Sequence, residues 1–207
     1  MSLKQNIKYL FDIFNLEISK YPADKSLRAR MKILNKFKID LIFDIGANIG
    51  QYAMLLRKLG YKNKIVSFEP MKKEFKILKN KSVTDSLWEI KNYAIGDVNT
   101  ENFINISGNS VSSSMHKMKP KHVQVQKKSR YIGREKITIK KIDSFIHNYS
   151  EKYDNIFMKI DTQGNEYNVI KGSSDLLNEI IGIQMEMSIT PLYENEKNHI
   201  ELIKILA

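Results

Sequence analysis

An apolar run, an acid and a glycine-rich turn follow one another in the segment Leu41-Ile42-Phe43-Asp44-Ile45-Gly46-Ala47-Asn48-Ile49-Gly50. A helical pattern of apolar residues begins directly afterwards, at Gln51. This order predicts a buried β-strand, a tight turn and the start of a helix. Glycine lets the backbone approach a ligand closely, and the first N–H groups of a helix carry partial positive charge. We therefore predict a cofactor site at this turn.

The spacing of the glycines separates the classes of cofactor. The dinucleotide fingerprint G-x-G-x-x-G requires glycine where the chain has Asn48 and Gln51, and the Gly-Lys-Ser/Thr pattern of phosphate loops is absent. The remaining pattern, D-x-G-x-N-x-G over 44–50, resembles motif I of the Rossmann-like methyltransferases that bind S-adenosylmethionine, usually written D/E-x-G-x-G-x-G. Asn48 is compatible with it because asparagine also adopts left-handed backbone conformations. The resemblance implies five cofactor-binding residues: Asp44, Gly46, Ala47, Asn48 and Gly50.

Two further strands are predicted to contribute to this site. Ile65–Pro70 is predicted as the second strand, and its acid, Glu69, lies 25 positions after Asp44. In nucleotide-binding α/β units an acid at about this distance accepts hydrogen bonds from ribose hydroxyls. Glu69 is therefore a cofactor-binding candidate, with a solvated carboxylate in a turn as the alternative. Trp88–Ile95 alternates and is predicted as the third strand. In S-adenosylmethionine enzymes the end of this strand lines the adenine, which makes Asn92, Ala94 and Asp97 candidates.

The composition indicates a globular protein without disulfides or thiolate-bound metal. The chain has 207 residues, of which 42% are hydrophobic, and it contains no cysteine. This length suits one α/β domain, and the lack of cysteine fits a reducing, cytoplasmic compartment. No apolar run is long enough to span a membrane. His116 and His122 lack partners at ligand spacing, so no metal site is expected.

The hydrophobic pattern predicts helices before the glycine turn, and mostly alternating strands and helices after it. Apolar residues recur at helical spacing over 4–18, and a second helix is predicted over Lys25–Phe37. We interpret residues 1–40 as a helical extension and 41–207 as one methyltransferase domain. The expected fold class is α/β, a Rossmann-like, doubly wound and mostly parallel sheet of the class I methyltransferase type, with N-terminal helices and a basic insertion.

A polar and basic insertion over 107–135 interrupts this alternation. Four serines lie between Gly108 and Ser114, and Lys117 to Lys141 contains ten Lys or Arg residues and one acid. The net charge of the chain is +11, which favours anionic partners. One interpretation is a solvated loop, and the other is an insertion that covers the active site and attracts an anionic acceptor.

Two distant motifs together resemble the FkbM-type methyltransferases. The first is F-D-I-G-A-N-I-G-Q (43–51) with F-E-P (68–70), and the second is K-I-D-T-Q-G-N-E (159–166), usually K-I-D-V-E-G-x-E. V-S-S-S-M (111–115) and Q-M-E-M (184–187) fall where such sequences have similar residues. The resemblance implies an S-adenosylmethionine-dependent O-methyltransferase, in a family whose acceptors include sugars and secondary-metabolite hydroxyls. Two departures are Gln163 in place of the usual Glu, and the apparent lack of a final β-hairpin.

The strand order implied by this resemblance, 3-2-1-4-5, brings four acids to one edge of the sheet. These acids are Asp44, Glu69, Asp161 and Glu186. They repel one another unless a cationic sulfonium, ribose hydroxyls and Lys159 offset their charge. Asp161 is the predicted base for the acceptor hydroxyl. Lys159 is the second catalytic candidate, and it either stabilises the developing alkoxide or forms a salt bridge. The weaker candidates for acceptor contact are Ser114, Gln163, Glu166 and Glu186.

Two other functions stay open at the level of sequence. The basic segment over 117–141 suits an RNA methyltransferase, but nucleic acid is not the expected partner. The D/N-P-P-Y/F motif of base-methylating enzymes is absent, and Tyr131 is the one aromatic residue in that segment. The second alternative is a non-catalytic protein that binds S-adenosylmethionine as a sensor or scaffold, suggested by Gln163. The expected acceptor is a small molecule or glycan; its identity and the oligomeric state are not defined by the sequence.

Overall fold

The structure is a computed structural model that describes residues 25–120, 124 and 126–207. The chain divides into two compact units, 1–36 and 37–207. In the first unit the described residues form helix α1 (Lys25–Lys36), which confirms the predicted second helix. The helix predicted over 4–18 and the residue His122 lie outside the described residues.

The second unit is built on a parallel sheet of five strands. In chain order the strands of this unit are β1 (Leu41–Ile45), β2 (Lys64–Phe68), β3 (Trp88–Lys91), β4 (Ala94–Ile95), β5 (Thr100–Ser107), β6 (Tyr131–Lys140), β7 (Ile156–Ile160) and β8 (Ile180–Met185). The main sheet has the order β3-β2-β1-β7-β8, with all neighbours parallel. This is the predicted 3-2-1-4-5 order, and it confirms the α/β, Rossmann-like fold class. Every residue of β1 and β7 is buried, as expected for central strands covered on both faces.

Helices lie between the strands of the main sheet and after the last of them. They are α2 (Gln51–Lys58), α3 (Lys72–Ser82), α4 (His147–Ser150), α5 (Glu166–Lys171) and α6 (His199–Leu206). The main hydrophobic core joins strands to α4, α5 and α6 through Phe43, Met158, Tyr149, Val169 and Leu202. The chain after β8 contains α6 and adds no further strand to the main sheet. None of the helices in the described ranges is long and apolar enough to cross a bilayer.

A second sheet of three strands has the order β4-β6-β5. β5 and β6 pair antiparallel, and β4 pairs parallel with β6. The prediction of a single third strand over Trp88–Ile95 is therefore wrong, because β3 belongs to the main sheet and β4 to the second. The chain leaves the main sheet at Asn92, whose Nδ2 donates to the backbone oxygens of Glu69 (2.9 Å) and Pro70 (3.0 Å). The segment 108–130, which is most of the predicted insertion, connects β5 to β6, and the last residues of that insertion, 131–135, belong to β6.

Candidate active site

The turn after β1 is shaped by left-handed backbone conformations. Gly46, Asn48 and Gly50 have φ angles of 76°, 49° and 85°. Asn48 thus adopts the conformation that makes it acceptable in this position. A Cβ atom at Gly46 would lie 1.9 Å from the backbone oxygen of Asp161. Glycine at position 46 is therefore required by a contact within the protein, between the turn and the end of β7.

The backbone N–H groups of this turn are already hydrogen-bonded inside the protein. Those of Gly46 and Ala47 donate to Phe68 O, that of Asn48 to Glu69 Oε2, that of Ile49 to Asn48 Oδ1 and that of Gly50 to Ala47 O. A pyrophosphate site instead needs several N–H groups aimed at the ligand. The turn therefore lacks the phosphate cradle of a dinucleotide site, in agreement with the spacing of its glycines.

Glu69 follows β2 and lies beside the turn, with 3% of its surface exposed. Its Oε2 accepts the N–H of Asn48 and its Oε1 accepts that of Met71, both at 2.8 Å. Burial raises the pKa of this carboxyl to about 8, against the opposing effect of the two N–H groups. Each oxygen retains a lone pair for a further donor. Glu69 can therefore accept hydrogen bonds from ribose hydroxyls, and its negative form suits a cationic ligand.

Asp44 lies inside the sheet and is fully buried. Its Oδ2 accepts a hydrogen bond from the Ser67 hydroxyl at 3.0 Å, and its Oδ1 lies 3.1 Å from Lys159 Nζ. Ser67 accepts in turn from Trp88 Nε1 at 2.9 Å. The roles of Ser67 and Trp88 were not predicted from the sequence, although a single serine in the apolar run I-V-S-F signals a buried polar partner. These contacts make Asp44 a support for Lys159, and its contact with the cofactor stays a prediction.

Lys159 is 6% exposed, and three oxygens surround its ammonium group. Nζ donates to Gly46 O at 3.1 Å and lies 3.1 Å from Asp44 Oδ1 and 3.6 Å from Asp161 Oδ2. Burial alone would lower the pKa of Lys159, but the two carboxylates outweigh burial and raise it. Lys159 thus forms a salt bridge, one of its two predicted roles, and this salt bridge links the turn to the end of β7. Its other predicted role, at a developing alkoxide, stays a prediction.

Asp161 and Glu186 stand at the carboxyl ends of β7 and β8, with the amide of Gln163 between them. Gln163 Nε2 donates to Asp161 Oδ1 at 2.9 Å and to Glu186 Oε2 at 2.7 Å. Burial and the neighbouring Asp161 raise the pKa of Glu186 to about 7. The Asp161 side chain is 41% exposed, so a bound molecule can reach its carboxylate.

The insertion contacts both halves of this site. Ser110 Oγ lies 3.5 Å from Asn48 Nδ2, and the Ser114 hydroxyl donates to the backbone oxygen of Gln163 at 2.6 Å. Tyr193, which the sequence analysis did not single out, donates its hydroxyl to Gln163 Oε1 at 2.9 Å. The insertion also pairs with Tyr193 through Met118. A contact between such distant segments leaves no local signal in the sequence.

Three other predicted residues make contacts of a structural kind. The buried Glu166 carboxylate accepts N–H groups from the turn over 162–164, and burial raises its pKa. Ala94 packs in the apolar cluster of the second sheet. Asp97 forms an ion pair with Lys171, at 3.0 Å, at the end of α5. Within the described part of the chain no hydrogen bond or ion pair joins Asp97 to the glycine turn.

The site as a whole combines carboxylates at the ends of strands with a turn whose backbone N–H groups are hydrogen-bonded inside the protein. Such an arrangement repels a polyanionic dinucleotide and offers acceptors to a cation that carries ribose hydroxyls. S-adenosylmethionine is such a ligand, so the residues fit it. In the ranges that the structure describes, no group of three or more His, Cys, Asp or Glu side chains could hold a metal ion.

A family model described as the methyltransferase FkbM domain matches residues 44–207. The chain belongs to this family. The match confirms the resemblance carried by the two motifs, and it supports S-adenosylmethionine as the cofactor of this FkbM-family chain. Among curated proteins no significant match was found.

The FkbM-family chain is also similar to solved α/β structures at low sequence identity. One is an S-adenosylmethionine-dependent methyltransferase from Clostridium acetobutylicum (9% identity, 86% of this chain and 54% of that chain, TM-score 0.38). Another is TehB from Haemophilus influenzae (12% identity, 96% of this chain and 53% of that chain, TM-score 0.44). Yeast methylglyoxal/isovaleraldehyde reductase Gre2 complexed with NADPH also matches (11% identity, 72% of this chain and 37% of that chain, TM-score 0.39). The chain spans less than two thirds of the length of each of these proteins.

The affinity of the FkbM-family chain for S-adenosylmethionine is expected to rise with pH. The pKa of Glu69 is about 8, and its ionised form is the stronger acceptor for hydroxyls and the better partner for a cation. Little of it is ionised at pH 7 and most at pH 9, so affinity should increase by up to about tenfold over this range. Calorimetric titration measures this increase, and Glu69→Gln controls for titration of the ligand itself. An equal pH dependence in the variant would contradict a role for the Glu69 charge.

Proposed function

We propose that this chain is an S-adenosylmethionine-dependent O-methyltransferase that acts on a hydroxyl of a sugar, glycan or secondary metabolite. The position of Asp161 is the observation that supports this most. Its carboxylate is 41% exposed, and its backbone oxygen adjoins Gly46 in the cofactor turn. Transfer to a hydroxyl benefits from a base beside the cofactor, because the oxygen becomes more nucleophilic as its proton leaves.

The mechanism assigns separate roles to Asp161 and Lys159. Bound S-adenosylmethionine supplies an electrophilic methyl group on a positively charged sulfur. Asp161 accepts the proton of the acceptor hydroxyl at a carboxylate whose oxygens are oriented by Gln163 and Lys159. Lys159 is a positioning residue, since its ammonium is also engaged by Asp44 and Gly46 O. Fixing the base before the acceptor binds reduces the ordering that the reaction itself requires.

The charges around the site favour a neutral, hydroxyl-rich group next to Asp161. Glu186 lies beside Asp161, so a phosphate or carboxylate of the acceptor would be repelled there. Exposed cations lie instead on the insertion and on β6: Lys117, Lys127, Lys128, Arg130 and Arg134. An acceptor with hydroxyls at its reacting end and negative charge elsewhere fits both features.

The alternatives receive less support. Single-strand RNA recognition relies on accessible aromatic rings, but Tyr131 is half-buried and donates its hydroxyl to His116 O at 2.7 Å. The non-catalytic reading started from Gln163, which contacts both Asp161 and Glu186. A glutamine in this position is therefore compatible with catalysis.

Asp161→Asn is expected to slow methyl transfer by about 10²–10⁴-fold, the usual contribution of a general base. Formation of S-adenosylhomocysteine with a panel of sugar and glycan acceptors measures the rate, and calorimetry should find nearly unchanged S-adenosylmethionine affinity. Asp154→Asn is the matched control, because Asp154 is exposed just before the opposite end of β7 and should not affect transfer. Equal rates for Asp161→Asn and the unaltered protein would remove Asp161 from the role of base.

A further inference from the structure

Gln163 receives contacts from four separate parts of the chain. Its Nε2 donates to Asp161 Oδ1 at 2.9 Å and to Glu186 Oε2 at 2.7 Å. Its Oε1 accepts from the Tyr193 hydroxyl at 2.9 Å, and its backbone oxygen accepts from the Ser114 hydroxyl at 2.6 Å. Its φ angle is 55°, in the left-handed region that glutamine seldom adopts. The neighbours of Gln163 therefore hold it in an unusual conformation in which its amide faces both carboxylates.

Tyr193 contacts the acceptor end of the Gln163 amide, the end that faces away from the carboxylates. An amide has one acceptor end and one donor end with two N–H groups. The Tyr193 hydroxyl lies closer to Gln163 Oε1 than to Ser112 O, at 2.9 Å against 3.3 Å. Donation to Oε1 leaves both N–H groups for the carboxylates, whereas the reversed amide would place oxygen against oxygen. Tyr193 is 2% exposed and its ring packs against Gly164, which fixes the hydroxyl.

We propose that Gln163, whose amide oxygen is held by Tyr193, is a positioning residue that holds Asp161 and Glu186 as a bridged pair in which Glu186 is the member that takes up a proton. Lys159 lies 3.6 Å from Asp161, whereas no ion pair in the described ranges involves Glu186. Glu186 is therefore the member that takes up a proton, and the Asp161 carboxylate beside Lys159 is left to accept the proton of the acceptor hydroxyl. This inference rests on the proposed role of Asp161.

The charged and titratable groups that face the pair come from several elements. They are Lys159 on β7, Asp44 on β1, Glu166 at the start of α5 and Tyr193 after β8. Lys159 favours negative charge on Asp161, and Glu166 disfavours it on Glu186. The Gln163 amide contacts both carboxylates and supplies donors without adding charge. A glutamate in its place would add a third acid and remove those donors.

The test follows the protonation of Glu186 by carbon-13 NMR of protein labelled at the glutamate carboxyl carbons, with Glu186→Gln for assignment. The unaltered protein is expected to show a midpoint near pH 7. Gln163→Glu preserves the size of the side chain but replaces the donors with a third acid, so the Glu186 midpoint should rise by about one pH unit or more. Tyr193→Phe removes the hydrogen bond that holds the amide oxygen and should give a smaller rise.

Two further variants separate this role from a structural one. Tyr61→Phe removes the hydroxyl of another buried tyrosine, which lies 3.4 Å from Lys64 O, and should leave the midpoint unchanged. Gln163→Asn tolerates the left-handed backbone but is too short for the bridge, and it should raise the midpoint without adding charge. The inference is overturned if the Gln163 variants fold and Glu186 still titrates as in the unaltered protein.

The outcome is distinguishable from failure of the proposed function. A shifted Glu186 midpoint in the Gln163 variants upholds the bridged pair, even where Asp161→Asn still transfers methyl groups at the original rate. Transfer that depends on Asp161, combined with an unshifted midpoint, upholds the base and overturns the bridge.

Discussion

Replacement of Lys159 by methionine is expected to lower the free energy of unfolding by about 3–5 kcal/mol at neutral pH. The substitution leaves Asp44 fully buried, with the Ser67 hydroxyl as its remaining side-chain partner. A buried carboxylate without its cation must either stay charged in a poorly polarisable interior or take up a proton, and both are unfavourable. Urea unfolding followed by circular dichroism measures the loss.

The combined variant Asp44→Asn/Lys159→Met should recover most of that stability, because it removes both charges together. Lys64→Met is the matched control: Lys64 forms a more exposed pair with Glu89 at 3.1 Å, and its loss should cost less than about 1 kcal/mol. A single Lys159 variant as stable as the Lys64 variant would show that Asp44 does not depend on Lys159.

Gly46→Ala is expected to destabilise the protein by at least about 3 kcal/mol, well beyond the typical effect of a point substitution. The new Cβ would lie 1.9 Å from the backbone oxygen of Asp161, and φ is 76°. The backbone of Asp161 cannot move aside as a flexible side chain can, so the turn and the end of β7 must move apart. Asn48 and Asp161 must move with the turn and the end of β7, so the affinity for S-adenosylmethionine should fall as well. Calorimetry measures this loss.

Gly60→Ala supplies the comparison for this effect. Gly60 has a φ angle of 95°, but a Cβ atom there would meet nothing within 4 Å. Gly60→Ala should therefore lower the free energy of unfolding only by the cost of the left-handed backbone conformation, about 1–2 kcal/mol. If the two alanine variants unfold at the same urea concentration, the close approach of the turn to Asp161 is not what requires glycine at position 46.

The main sheet could be predicted because its strands are short apolar runs that end at distinctive residues. L-I-F-D-I before Gly46 and I-F-M-K-I before Asp161 carry apolar residues on both faces, as is typical of buried parallel strands, and each contains one charged residue, Asp44 or Lys159. The resemblance then supplied their order, which places Asp161 beside the glycine turn. Glu69 was predicted as a cofactor-binding candidate from its distance to that turn, and the structure places it beside the turn.

The rest of the site depends on contacts that no local pattern encodes. The alternation of W-E-I-K stops at Asn92, but this break does not show that the next residues join a second sheet. The hydrogen bonds of the Asn92 side chain to Glu69 and Pro70 accompany that passage. Tyr193 reaches Gln163 from a segment that pairs with Met118. Propensity carries no information about such pairings, because tertiary packing selects among them.

The pairing of β1 with β7 also governs when the site can form. The N–H of Asn155 bonds to Asp40, 115 residues earlier, and Gly46 meets Asp161 and Lys159 across the same long loop. Closing a loop of this length is slow compared with local structure formation. During synthesis the first motif leaves the ribosome long before its partners, and the domain can complete the glycine turn only once β7 has emerged. The cofactor site is therefore among the last parts of the nascent chain to mature, although its first motif is among the first to be made.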